Sequence, residues 1–134
     1  MTALSKIEGI GPKYQAELKK ANIASVEGLL KAGSTPKGRK ELAETSKISD
    51  KLILEWVNHA DLFRIKGVGE EYSDLLEEAG VDTVVELAKR IPANLVEKMA
   101  EVNAAKKLVR QMPTLKMVTN WVAQAKALPR IVQY

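Results

Sequence analysis

The sequence predicts an all-α fold made of two similar halves, and three observations lead there. First, Ala, Leu, Lys and Glu dominate a chain of 134 residues that is 46% apolar and only 4% aromatic, a composition that favours helices. Second, polar and apolar residues never alternate for long between turn signals, so no strand competes. Third, Ile7-Glu8-Gly9-Ile10-Gly11-Pro12-Lys13-Tyr14 returns as Ile65-Lys66-Gly67-Val68-Gly69-Glu70-Glu71-Tyr72. The same offset pairs Leu4 with Leu62, Leu18 with Leu76, Ile23 with Val81, Val26 with Val84 and Leu29 with Leu87. A period of this kind marks an internal duplication.

The elements follow in order. Pro12 pre-sets φ for a helix that should reach about Asn22, with Tyr14, Leu18 and Ala21 on one side. Ser25 caps a second helix carrying Val26, Leu29 and Leu30, which should stop near Gly33. Thr35-Pro36 opens a third with Leu42 and Ala43 inward. Ser49 caps a fourth, in which Leu52, Ile53, Trp56 and Val57 form an apolar stripe. The pattern restarts at Asp61. Thr83 and Glu86 have capping-box spacing, and helices carrying Leu95, Val96 and Met99, then Leu115, Val118, Trp121 and Val122, complete the second half. No linker rich in Gly, Ser or Pro separates the halves, so we expect one compact domain whose repeats occupy residues 1–60 and 61–134.

Composition excludes several chemistries. The absence of Cys removes disulfides, thiolate nucleophiles and Cys-ligated zinc, and the single His59 cannot build a histidine metal cluster. Without an apolar run near the ~20 residues of a membrane span or a signal-peptide core, a cytoplasmic protein is expected. Charge is segregated. Residues 1–60 carry ten Lys/Arg against seven Asp/Glu (+3), residues 61–88 two against eight (−6), and residues 89–134 nine against two (+7). Anionic partners respond to such local potentials rather than to the net +4.

In a Gly-apolar-Gly turn the backbone bends tightly while Ile10 or Val68 plugs the core. The amides that follow belong to a first helical turn, where phosphate is favoured by free N–H groups and the helix dipole. The pattern Leu4-x-x-Ile7-x-Gly9-Ile10-Gly11-Pro12-Lys13-x-x-x-x-Leu18 resembles the helix-hairpin-helix motif of DNA repair and recombination proteins. Ser34–Leu42, Leu54–Asn58 and Asp61–Gly69 extend the likeness, so that most of residues 4–128 looks like a bacterial family of uncharacterised tandem helix-hairpin-helix proteins. The resemblance implies two pseudo-symmetric helix-hairpin-helix repeats with support helices. It also implies DNA binding without sequence preference. The amides of Gly9, Gly11 and Lys13 would meet one phosphate, helped by the Lys13 ammonium. The carbonyls of Ser5, Ile7 and Ile10 would be able to hold Na⁺ or K⁺.

The second turn departs from that pattern. Glu70 and Glu71 replace Pro12 and Lys13, with Asp74, Glu77 and Glu78 following. Carboxylates there stabilise a helix start and repel phosphate, so this copy reads as structural or as a protein-contact surface. Lys37, Arg39 and Lys40 crowd the start of the third helix, where cations oppose the dipole. A bound phosphate would explain them, and Gly38 would mark its close approach. The competing explanation is a solvated loop with Glu41 or Glu44 as partner. Lys106, Lys107, Arg110 and Lys116 are expected to neutralise the acidic block internally. Trp56 and Trp121 read as core, His59 as a surface histidine.

Enzyme relatives of the motif provide no match. A polymerase-type lyase places a Schiff-base Lys six residues after the second turn glycine, where this chain has Glu17 and Leu75. The expectation is therefore a non-enzymatic DNA-binding protein contacting backbone phosphate through Gly9, Ile10, Gly11 and Lys13, with Lys37, Arg39 and Lys40. The alternative is a protein-interaction module, or self-association, through the acidic 61–88 block.

Overall fold

Hydroxyl side chains cap several of the helices, and those of Ser25, Thr35 and Thr83 fall where the sequence puts them. In the computed structural model, which describes residues 2–134, Ser25 Oγ accepts from the Gly28 amide at 3.0 Å and Thr35 Oγ1 from that of Gly38 at 3.0 Å. Thr83 Oγ1 accepts from Glu86 at 3.3 Å and Thr114 Oγ1 from Met117 at 3.1 Å. Each satisfies an amide that the first helical turn leaves orphaned.

The described residues form a short 3₁₀ turn, Leu4–Lys6, and eight α-helices, with no strand among them. These are α1 Pro12–Lys20, α2 Val26–Ala32, α3 Pro36–Ser46, α4 Asp50–Leu62, α5 Glu70–Glu78, α6 Val84–Ala88, α7 Pro92–Lys106 and α8 Leu115–Ala127. The first helix stops two residues before the expected Asn22, which takes φ +64° instead. Among the described residues no helix is long and apolar enough to cross a membrane.

Contacts divide the chain into two compact units. One runs to Asp61 and takes in Ile131–Tyr134; the other is Leu62–Arg130. In the first, Leu4, Ile7, Ile10, Leu18, Val26, Leu29, Leu42, Ile53 and Trp56 are buried. In the second, Leu62, Ile65, Val68, Leu75, Leu76, Val84, Leu87, Leu95, Met99, Val118 and Trp121 build one core. Both tryptophans are thus core residues, as their stripes indicate. Leu115, by contrast, is exposed at the first position of α8.

Two loops are stapled by side chains that imitate backbone. The Asn103 amide donates to the Val109 carbonyl at 3.2 Å and its oxygen accepts from the Val109 amide at 2.9 Å. Gln124 does the same for Lys66, accepting from its N–H at 2.9 Å and donating to its carbonyl at 3.1 Å. Such pairs satisfy groups that an irregular segment leaves without helical partners.

Candidate nucleic-acid interface

The first Gly-x-Gly turn is built by a chain of short-range bonds. Ile7 N–H donates to Leu4 O at 3.1 Å, and Ile10 N–H to Ile7 O at 3.2 Å. Gly9 has φ +92°, a conformation that L side chains rarely adopt, so glycine is required there. Ile10 is buried, as expected of a plug. Behind the turn stands Trp56, with Nε1 3.4 Å from where a Cβ on Gly9 would lie. Tyr14 packs edge-on against the same indole, ring centroids 4.9 Å apart. Aromatic packing from α4 thereby supports both the turn and the first turn of α1.

Gly11 serves a different purpose. Its φ of −90° and ψ of −175° suit any residue, and a Cβ there would meet nothing within 4 Å. It caps α1 without a side chain. The helical ladder begins with Gln15 N–H to Gly11 O at 3.0 Å. Among the described residues, no protein acceptor engages the amides of Gly9, Gly11, Lys13 or Tyr14, while Pro12 contributes no N–H. Gly11, Pro12 and Lys13 are exposed. The result is a bare N-terminal end of a nine-residue helix with an exposed lysine on it. Of the carbonyls beside the turn, that of Ile7 accepts from Ile10 N–H, leaving it one lone pair, whereas among the described residues those of Ser5 and Ile10 accept no backbone hydrogen bond.

The second turn has the same backbone and the opposite charge. Ile65 N–H bonds Leu62 O at 3.1 Å, Val68 N–H bonds Ile65 O at 3.1 Å, and Gly67 has φ +98°. Trp121 Nε1 lies 3.0 Å from a Cβ position on Gly67, and Tyr72 packs against Trp121 with the rings tilted by 52° and their centroids 5.3 Å apart. Exposed Glu70 and Glu71 replace the proline and lysine. At the far end of α5, Glu78 pairs with Lys106, an internal neutralisation of the kind expected for the C-terminal cations. Lys107, Arg110 and Lys116 are exposed.

The start of α3 differs from the phosphate cradle expected there. Lys37 and Lys40 are exposed, but Arg39 is turned inward at 8% exposure. Its Nη1 donates to Gly33 O at 2.9 Å and its Nη2 to Gln133 O at 2.7 Å, so protein carbonyls take the guanidinium. Gly38 has an equally internal reason: a Cβ there would sit 2.2 Å from Ala32 O. The close approach inferred from that glycine is the end of α2, not a ligand. Sequence reasoning missed this because the charge pattern alone does not reveal a carbonyl 94 residues away.

His59 is the other departure. Expected at the surface, it is only 2% exposed, on the buried side of α4. Burial pushes its pKa down to about 4, so it is neutral at physiological pH. Three residues after Trp56, it occupies the position that Gln124 occupies after Trp121. Near the start of the chain, the Thr2 amide and hydroxyl both donate to Glu27, at 2.8 and 2.7 Å, and hold its carboxyl below the usual range.

With this geometry in place, one family model matches residues 8–128, nearly the whole chain. The chain belongs to the DUF4332 family. That family is described as a domain of unknown function. No curated protein and no solved structure matches the sequence. The two turns and their tryptophans all lie inside the matched DUF4332 span.

Proposed function

We propose that this protein binds DNA without sequence preference, taking a backbone phosphate on the first Gly-Ile-Gly turn, and that its two halves are tandem helix-hairpin-helix repeats. One observation supports the binding reading above the others. Among the described residues, the amides of Gly11, Lys13 and Tyr14 lack protein acceptors at the positive end of α1, beside the exposed Lys13. A phosphate oxygen satisfies such amides without any side chain, and the Lys13 ammonium adds a mobile charge. The repeat reading draws on the matched pairs Gly9 with Gly67, Tyr14 with Tyr72 and Trp56 with Trp121.

Lys37 and Lys40 remain as auxiliary exposed cations; Arg39 does not belong to the site. Na⁺ or K⁺ on the carbonyls of Ser5, Ile7 and Ile10 would add positive potential behind the phosphate. The donor set fits weakly, since Ile7 O is already shared with Ile10 N–H. No nucleophile or metal set is required, and the activity is binding alone. Few positive contacts imply non-specific affinity on the order of 10⁻⁴–10⁻⁶ M at physiological salt.

The exposed Glu70 and Glu71 favour one second reading, in which the acidic turn docks a basic protein surface. Fluorescence anisotropy separates the two. With single- and double-stranded oligonucleotides, Lys13→Glu should abolish binding and Glu70→Lys should leave or strengthen it. A chain that binds no DNA at low salt, or whose affinity is indifferent to Lys13→Glu, removes the phosphate reading.

A further inference from the structure

The segment Ile131–Tyr134 lies on the first unit as a bound peptide would. The main chain of Gln133 is held on both sides: its N–H donates to Ser34 O at 2.7 Å, and its carbonyl accepts from Arg39 Nη2 at 2.7 Å. The Gln133 residue is itself exposed, so its backbone is read. Val132 is buried at 2% exposure, and the Tyr134 hydroxyl donates to Asn58 Oδ1 at 2.9 Å. The Arg39 guanidinium stands 5.8 Å over the Tyr134 ring. An anchor at one position, backbone pairing at the next and an aromatic at the third form a peptide-recognition pattern.

Arg39 makes groove and segment interdependent. A buried guanidinium that loses a carbonyl acceptor is costly, so the groove is poorly stable when empty. Yet Ser34, Arg39 and Asn58, which bond Gln133 and Tyr134, belong to the unit that runs to Asp61, while Leu62–Arg130 forms a unit of its own. After α8 the chain reaches the segment through Leu128, Pro129 and Arg130, which carry no helix. The piece that completes the first unit is thus joined to the second unit by a short non-helical stretch, and every copy of the chain carries one.

We propose that the groove around Arg39 also accepts residues 131–134 of a second copy, so that two chains exchange segments and form a reciprocal dimer. The contacts are those already described, made in trans. Exchange competes with the effective concentration of the tethered segment, so the dimer grows with protein concentration. The inference is independent of nucleic-acid binding.

The chain has no cysteine, which allows a clean test. Full-length Ser34→Cys and full-length Gln133→Cys chains are mixed under mild oxidation. Exchange predicts a mixed disulfide between the two variants that increases with concentration and disappears when Val132→Asp is added to the Gln133→Cys chain. A mixed disulfide that survives Val132→Asp, or none at any concentration, overturns the proposal. Native mass spectrometry of two differently tagged wild-type chains is the second readout. It should show concentration-dependent heterodimers; monomers alone would contradict exchange.

Discussion

Trp56 stands directly behind Gly9, its indole nitrogen 3.4 Å from where a side chain on that glycine would begin. Two glycines separated by one residue therefore have separable roles. Gly9 is required by its φ of +92°, whereas Gly11 has an ordinary φ and open space around it. Gly9→Ala should destabilise the fold by about 1–2 kcal/mol. Gly11→Ala should leave the melting temperature nearly unchanged while weakening DNA binding, because the added methyl crowds the bare amides. Thermal melts and anisotropy on the same two variants check both halves.

Arg39 distinguishes a structural cation from a binding one. Arg39→Ala leaves the carbonyls of Gly33 and Gln133 without their donor and should cost on the order of 1–3 kcal/mol in chemical denaturation. Lys37→Glu with Lys40→Glu should leave stability within about 0.5 kcal/mol and weaken DNA binding instead. Denaturant midpoints and oligonucleotide titrations together discriminate the two cases.

His59 predicts an acid sensitivity. Its folded pKa of about 4 lies below the ordinary 6.5, so the folded state binds fewer protons than the unfolded one in that interval. The contribution is fully present above pH 6.5 and is lost as pH falls towards 4. At about 1.4 kcal/mol per pH unit, the total loss is on the order of 3 kcal/mol. Other groups titrate too, so the comparison is between wild type and His59→Gln. The variant's melting temperature should fall less between pH 7 and pH 4.5, and parallel curves would contradict the assignment.

The helices were legible because their signals are local. Ser25, Thr35, Ser49 and Thr83 announce starts through bonds spanning three residues. The stripes around Trp56 and Trp121 show their buried faces by spacing alone. What sequence could not reveal depends on partners far along the chain. Arg39 looked like a surface cation until Gln133 supplied a carbonyl, and Gly38 looked like a ligand contact until Ala32 O filled the space. His59 carried no signal of burial beyond following Trp56 by three residues, outside the stripe of Leu52, Ile53, Trp56 and Val57. At the candidate site, the turn was visible from its glycines, but the contrast between Gly9 and Gly11 needed dihedral angles.

The central claim, that phosphate meets the bare amides at the head of α1, is tested most directly by amide NMR during titration with a short DNA duplex. The account predicts saturable, salt-sensitive shifts concentrated on Gly9, Gly11, Lys13 and Tyr14, and absent in the Lys13→Glu chain. Shifts centred instead on Glu70–Glu78, or none near α1 at saturating DNA, would contradict it.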